Sequence, residues 1–416
     1  MFFLLLVYFQ IGFVVSQVPS SLRFVQVWFR HGERMPTHYL SFPGQPPLSF
    51  DFAEIAYPGE LTNRGMRQEY EKGKMLRKIY GNHFGAIYRP NEVIVKTGKD
   101  NRTSVSAQAA MAGFYPPESS QRWTSLNWLP VAQHQDEPVD WVSTGVIDSC
   151  PVMADSFVQS TEFKNVLTAI TEKDPQLVQL LRNRTDKPIE NAKDLNLAID
   201  SLKIRYILND TRFPVPNWAE GLQDRIYATH FDVHNAVLDI QNATVGAFHN
   251  DYVLSLFEQY LNQEYLKGAF ISGHDTNVMA IWKSFSLAPI QNEMPDFGAH
   301  VAIELHEDQG QHIIKFWLSM SFEQKPVEVY SEYCGKPCTL EALQRITQDR
   351  RLDKGGFIEK CKGVGNIAQA TPTITGSMIL LVAVLILLTI IFGCTTCFYR
   401  KQLNDLKDPE RTRLLG

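Results

Sequence analysis

Apolar and polar positions change their spacing several times along this 416-residue chain, and each change predicts an element. Residues 22–29 are mostly Val, Phe and Leu and end at Arg30-His31-Gly32, which predicts a buried strand running into a loop. Residues 41–58 are rich in Pro and Gly and predict irregular chain. Residues 61–80 carry the charge and apolar spacing of an amphipathic helix, with Thr62 as its N-cap. A second strand is predicted at 93–96, ending in a loop at 97–103, and an Ala-rich helix at 104–113. From 123 to 246 strand signals thin out, and helices are predicted at 162–182, 192–208 and 224–239, with a further one at 247–265. Then 268–272 reads as a short apolar strand that breaks into Gly273-His274-Asp275, and 301–306 with 312–319 as an antiparallel pair. Strands at both ends with helices between them predict an α/β domain interrupted by a helical insertion at about 123–246.

Two apolar runs predict the topology. Residues 1–15 are nearly all aliphatic or aromatic and are followed by Ser16, the pattern of a signal peptide spanning 1–16; with no basic n-region, an uncleaved anchor is the alternative. Residues 377–399 supply the roughly 20 apolar residues that a membrane-crossing helix requires. Arg400 and Lys401 follow at once, which orients a single-pass type I protein with its body lumenal or extracellular and its 400–416 tail cytosolic. Residues 371–376 form a stalk in this reading, and the body is 17–370. In the tail, Glu410 with Leu414 and Leu415 has the acidic-dileucine spacing that endosomal sorting adaptors read.

Composition changes the picture only by exclusion. A formal net charge of −5 argues against a nucleic-acid partner. The body holds Cys150, Cys334, Cys338 and Cys361. In an oxidising compartment these make two disulfides, Cys334 closing locally on Cys338 and leaving Cys150 for Cys361; a zinc site is the competing reading. Cys394 and Cys397 lie at the membrane boundary. Sequons stand at Asn101, Asn183, Asn209 and Asn242.

The chemistry concentrates in Arg30-His31-Gly32-Glu33-Arg34-Met35-Pro36. Two arginines flank a histidine on a compact loop, and guanidinium forks match phosphate oxygens. Like charge disfavours the imidazolium and keeps a ring nitrogen available for attack. On residues alone, a basic surface loop with a solvated histidine is the favoured reading. His306-Glu307-Asp308 reads as a surface turn. His230 and His234, at i and i+4, have zinc-chelating spacing but read as ordinary helix-surface histidines. No metal or other cofactor is called for.

The seven-residue segment resembles the RHGxRxP signature of the histidine acid phosphatases, a branch of the histidine phosphatase superfamily. Ser272-Gly273-His274-Asp275-Thr276-Asn277 resembles the family's second signature, and Lys99-Asp100-Asn101-Arg102-Thr103 its third phosphate-contact segment; the likeness spans roughly 22–361. The resemblance implies a large α/β domain with a central, mostly parallel sheet and a smaller helical domain. It implies His31 as nucleophile, Asp275 as proton donor, and Arg30, Arg34, Arg102 and His274 as phosphate ligands. The expected activity is hydrolysis of small-molecule phosphomonoesters through a phosphohistidine, with an acidic optimum, in lysosomes, endosomes or at the cell surface. A narrower phytase-like or lysophosphatidate phosphatase of the same fold is the alternative, and a catalytically inactive adhesion or receptor ectodomain the alternative of another class. Family members are often homodimers, and no residue here specifies that state. Where animal members usually have Ser-Thr-Asp, this chain has Thr97-Gly98-Lys99, and Lys99 is expected to add a cation beside the pocket or to face solvent. A glycan on Asn101 would crowd Arg102, so Asn183, Asn209 and Asn242 are the expected acceptors.

Overall fold

The computed structural model describes residues 21–43, 57–136, 140, 142, 150–263, 265–289 and 291–362, together with 395, 396 and 400. Met1–Cys361 forms one compact unit and Lys362–Gly416 a second, of which only Lys362, Thr395, Thr396 and Arg400 are described. The signal-peptide segment 1–16, the stalk, and the tail beyond Arg400 lie outside the described residues, as does 377–399 except for Thr395 and Thr396. Among the described residues no helix is long and apolar enough to cross a membrane.

In chain order the elements are β1 (Leu22–Arg30), α1 (Asn63–Phe84), β2 (Val93–Thr97) and α2 (Asn101–Phe114). Six helices follow: α3 (Pro151–Gln159), α4 (Thr161–Lys173), α5 (Pro175–Arg184), α6 (Ala192–Leu208), α7 (Gln223–Gln241) and α8 (Ala247–Asn262). Then come β3 (Gly268–Gly273), α9 (Asp275–Ser284), β4 (Leu287–Ala288), β5 (His300–Asp308), β6 (Gln311–Ser319), β7 (Val327–Ser331), β8 (Cys338–Thr339), α10 (Leu340–Thr347) and α11 (Lys354–Lys362).

The strands order as β2-β3-β1-β5-β6-β7-β4, with β8 on β6. β1, β2 and β3 are parallel neighbours. Every other pairing is antiparallel, so the sheet is mixed rather than mostly parallel as expected. The cause is local. β5 and β6 are joined by the tight turn Gln309-Gly310, which only antiparallel neighbours permit, whereas the helical crossovers lie among β1–β3.

β1 shows why its sequence is almost continuously apolar. Phe24 and Trp28 pack with Val253, Phe257 and Ile281 of α8 and α9, while Val25, Val27 and Phe29 pack with Leu76, Phe84 and Phe114 of α1 and α2. A strand covered on both faces has no solvent side to mark with polar residues. Helices α4–α7 close over a separate core that includes Phe163, Leu177, Leu195, Ile199 and Val233, joined by Leu40 and Phe42 from the loop after β1. The helix expected at 162–182 is two, because Asp174 caps and Pro175 opens α5. Helix α7 runs through a π turn at Asn242–Gly246 directly into α8, so the expected boundary near 246 falls inside continuous helix.

Both cysteine pairs are disulfides, Cys150–Cys361 and Cys334–Cys338. Asn183, Asn209 and Asn242 are exposed, and Asn101 is exposed with its amide donating to Glu60 Oε1 at 3.0 Å.

Candidate active site

Parallel pairing brings the three sequence segments together. Arg30 at the end of β1 stands opposite Gly273 at the end of β3, and Thr97 at the end of β2 opposite Ser272. The chain leaves all three strands on the same edge, so His31, His274-Asp275 and Arg102 converge there. Carboxyl ends of parallel strands are where open α/β sheets assemble sites. Helices α2 and α9 begin at this edge, and their N-terminal dipoles favour an anion.

The loop after β1 is held by close backbone approach. A side chain at Gly32 would lie 2.3 Å from Gly65 O, and one at Gly65 would lie 2.0 Å from Glu33 O. Thr62 joins the two pieces. Its hydroxyl caps α1 by accepting from Gly65 N at 2.9 Å and donates to Glu33 Oε1 at 2.8 Å. The expected N-cap therefore also anchors the histidine loop.

His31 is buried, and its Nδ1–H donates to Gly32 O at 2.8 Å. The lone pair thus sits on Nε2. Burial first, and then Arg102, Arg30, His274 and Arg34, hold the imidazole well below its ordinary pKa. The His274 ring stands edge-on to it at 5.3 Å and Phe297 at 5.7 Å.

Arg34 makes a two-pronged ion pair with Asp200 of α6, at 2.9 and 3.2 Å. Arg102, in the first turn of α2, pairs with Asp100 at 2.8 Å. His274 Nε2 lies 3.2 Å from Asp100 Oδ2 but off the line of a hydrogen bond, and neither of its ring nitrogens is bonded. Burial first, then Arg102, pushes His274 down to about 4, against the upward pull of the nearby Asp100 carboxylate. Arg30 is buried. It donates to Pro295 O at 2.8 Å, pairs with Asp275 Oδ2 at 3.0 Å and stacks over Phe297 at 4.1 Å. Burial would raise the Asp275 carboxyl, but the cations around it, Arg30 foremost, hold it well below the usual carboxylate range. Its other oxygen accepts from Thr276 N at 2.8 Å.

His31, Arg34, Arg102, His274 and Asp275 line one cavity of roughly 600 Å³ between the strand ends and the helical layer. Arg30 is not on its wall. Lys99 is exposed and off the wall too, its backbone N–H donating to Asp140 at 2.8 Å.

Four further polar residues stand around the site without having been expected there. Asp200 orients Arg34. Asn277 ties the second signature's turn, accepting from His274 N at 2.9 Å and bonding His249 Nε2 at 3.1 Å. His230 and His234 are not surface histidines: His230 is buried, His234 half-buried, and both line the cavity. His306 likewise lies buried within β5, bonded to Glu304 at 2.8 Å, so it is core rather than a surface turn. Helical spacing alone marks none of these, because the facing element comes from elsewhere in the chain.

A family model, the histidine phosphatase superfamily (branch 2), matches residues 21–212, which contain both the His31 loop and the Arg102 segment. Over that stretch, a little under half of its length, the chain is similar to the superfamily. Among the curated proteins it is similar to, the venom acid phosphatase Acph-1 of Apis mellifera is 26% identical over 81% of this chain and 87% of that one. The lysosomal acid phosphatase of Xenopus laevis is 26% identical over 90% and 88%. Among solved structures, the Hafnia alvei phytase in complex with tartrate aligns with a TM-score of 0.56 at 16% identity, over 83% of this chain and 99% of that one. The Citrobacter braakii phytase aligns at 0.55 and 16%, over 82% and 98%. At such identity these two bear on the fold alone. The two segments that resemble the superfamily's signatures lie at the ends of adjacent parallel strands, β1 and β3.

Proposed function

We propose that this chain is an acid phosphatase that hydrolyses phosphomonoesters through a phosphohistidine on His31. The observation that carries the reading is the Nε2 lone pair of a buried, neutral His31, facing a cavity walled by Arg34, Arg102 and His274 with Asp275 beside it. Arg34, Arg102 and His274 bind the phosphoryl oxygens and stabilise the charge that develops in transfer. Arg30, the remaining expected phosphate ligand, adds positive charge and holds Asp275 through their ion pair.

In the first half-reaction Nε2 attacks phosphorus, the N–P bond forms and the P–O bond to the alcohol breaks. Asp275, as the carboxylic acid, gives its proton to the leaving oxygen. In the second, Asp275 takes a proton from water as the water attacks phosphorus. The N–P bond breaks, inorganic phosphate leaves and His31 is restored. Free Asp275 is ionised, so its proton comes with a monoanionic substrate; phosphomonoesters carry that proton below about pH 6. An acidic optimum follows.

The body 17–370 is read as lumenal or extracellular, anchored by 377–399, with the tail bearing Glu410, Leu414 and Leu415 exposed to sorting adaptors. The lysosomal acid phosphatases among its relatives support a lysosomal setting. Asn183, Asn209 and Asn242 are exposed and are read as the glycan acceptors.

The test is phosphate release from para-nitrophenyl phosphate by the whole chain at about pH 5 with EDTA, beside His31→Ala. Turnover that survives EDTA and vanishes in the variant, with an acid-labile phosphoprotein trapped from wild type, is the expected result. Turnover persisting in His31→Ala excludes the phosphohistidine route. A folded wild type inert on this ester, on phytate and on lysophosphatidate reverses the reading in favour of a binding ectodomain.

A further inference from the structure

Two histidines and a lysine of the helical layer form a polar cluster that the phosphoryl chemistry leaves unused. Lys203 of α6 lies buried, its Nζ 3.3 Å from His230 Nδ1 of α7 and over the Tyr227 ring. His234, one turn on, donates its Nδ1–H to His230 O at 3.0 Å. The two rings stand 4.4 Å apart, and both line the active-site cavity.

The hydrogen bonds settle which edge each ring presents. Burial lowers Lys203 to about 8, so in an acidic compartment it is an ammonium with donors only. His230 Nδ1 therefore accepts, and its proton lies on Nε2. His234 uses its Nδ1–H on a carbonyl, so its lone pair lies on Nε2. Burial, more than any neighbouring charge, lowers the pKa of both rings and so favours their neutral forms. The cavity thus carries one N–H donor and one nitrogen acceptor side by side. An anion has no use for the acceptor and an alkyl chain has use for neither. A hydroxyl, which donates and accepts at once, satisfies both.

Position indicates which hydroxyl. Asp275 faces the leaving oxygen in the proposed reaction, and both Lys203 and His234 lie close enough to influence its ionisation. His230 and His234 share the cavity wall with Asp275, which puts them on the leaving-alcohol side in the proposed reaction. Resting on the phosphatase reading above, we propose that His230 and His234 form a subsite for a hydroxyl on the leaving alcohol. The substrates of choice are then phosphomonoesters of polyols, with Lys203 as the positioning residue that sets the His230 tautomer.

The experiment compares kcat/KM for glycerol 3-phosphate and propyl phosphate, which differ in hydroxyls and not in the reacting group. Wild type is expected to favour the glycerol ester by roughly tenfold to a hundredfold, the worth of one or two neutral hydrogen bonds. The ratio should approach one in His230→Phe and in His234→Phe, fall in part in Lys203→Met, and be substantially kept in His230→Gln, which retains a donor. A ratio within one preparation is independent of the fraction folded. Calorimetric binding of the two esters to His31→Ala gives the same comparison without substitutions in the helical layer. A wild-type ratio near one, or one unchanged in both Phe variants, overturns the subsite while leaving the phosphatase reading intact. Turnover of both esters that survives His31→Ala overturns the two together.

Discussion

Arg34 and Asp200, separated by 166 positions in sequence, meet in a two-pronged ion pair at 2.9 and 3.2 Å. Asp200 is carried by the helical layer and Arg34 by the loop after β1, so this one contact aligns the insertion with the phosphate-facing arginine. Asp200 Oδ2 also accepts from Thr37 N and Oγ1, each at 3.2 Å.

Asp200→Ala is therefore expected to destabilise the protein by about 3–5 kcal/mol, since it strands a buried guanidinium. It should also lower kcat/KM at least tenfold by letting Arg34 swing. Urea unfolding and steady-state kinetics check the two effects. Loss of stability with unchanged kinetics would show that Arg34 needs no partner to hold its position.

Asp275→Asn removes the proton donor and keeps the shape. With an alkyl phosphate the rate should fall by about 10²–10⁴. With para-nitrophenyl phosphate, whose leaving group departs without a proton, the fall in the first step should be much smaller. Equal losses on both esters would assign Asp275 to water activation or binding instead.

The pH profile follows from two observations. His31 is held well below its ordinary pKa, so the nucleophile stays neutral on acidification and activity should persist below pH 5. Asp275 is held low by its cations, so the reaction needs the substrate's proton, and kcat/KM should decline as pH rises through about 6. A profile that rises toward neutrality contradicts this order of proton transfer.

Stability should run the other way. His31, His230, His249, His274 and His300 all have lowered folded-state values, caused first by burial. Below about pH 6.5 the unfolded chain takes up protons at these sites and the folded chain does not, so folding weakens as pH falls. Glu69, raised to about 7 by burial, and Glu33 and Asp140, raised by burial as well, act in the opposite sense, but the lowered histidines, His83 and His234 among them, outnumber them. The ligand-free melting temperature should thus drop between pH 7 and pH 5. Inorganic phosphate should restore part of it by binding only the folded state.

The two disulfides should differ in weight. Cys150–Cys361 spans 211 positions and Cys334–Cys338 spans 4. Loop-closure entropy predicts about 2–5 kcal/mol lost in the Cys150→Ser, Cys361→Ser double variant. Opening the short loop should cost clearly less. Denaturant midpoints under non-reducing conditions compare them.

The sequence by itself determined the strands at both ends, the boundaries of α6, the Thr62 cap and the segments bearing His31, Arg102, His274 and Asp275. Each is written in nearest-neighbour terms: a run of apolar residues, a 3.6-residue period, or a motif contained within seven positions. Only the tertiary structure decided that β1 and β3 lie side by side, that the remaining sheet is antiparallel, and that Arg30 turns back to Asp275. It likewise decided that Asp200, His230 and His234 face the cavity and that Lys203 is buried against His230. A polar residue on an amphipathic helix looks alike whether its neighbour is water or another element, because helical spacing records the face and not what covers it. For these helices the covering element is the edge of the sheet where β1, β2 and β3 end.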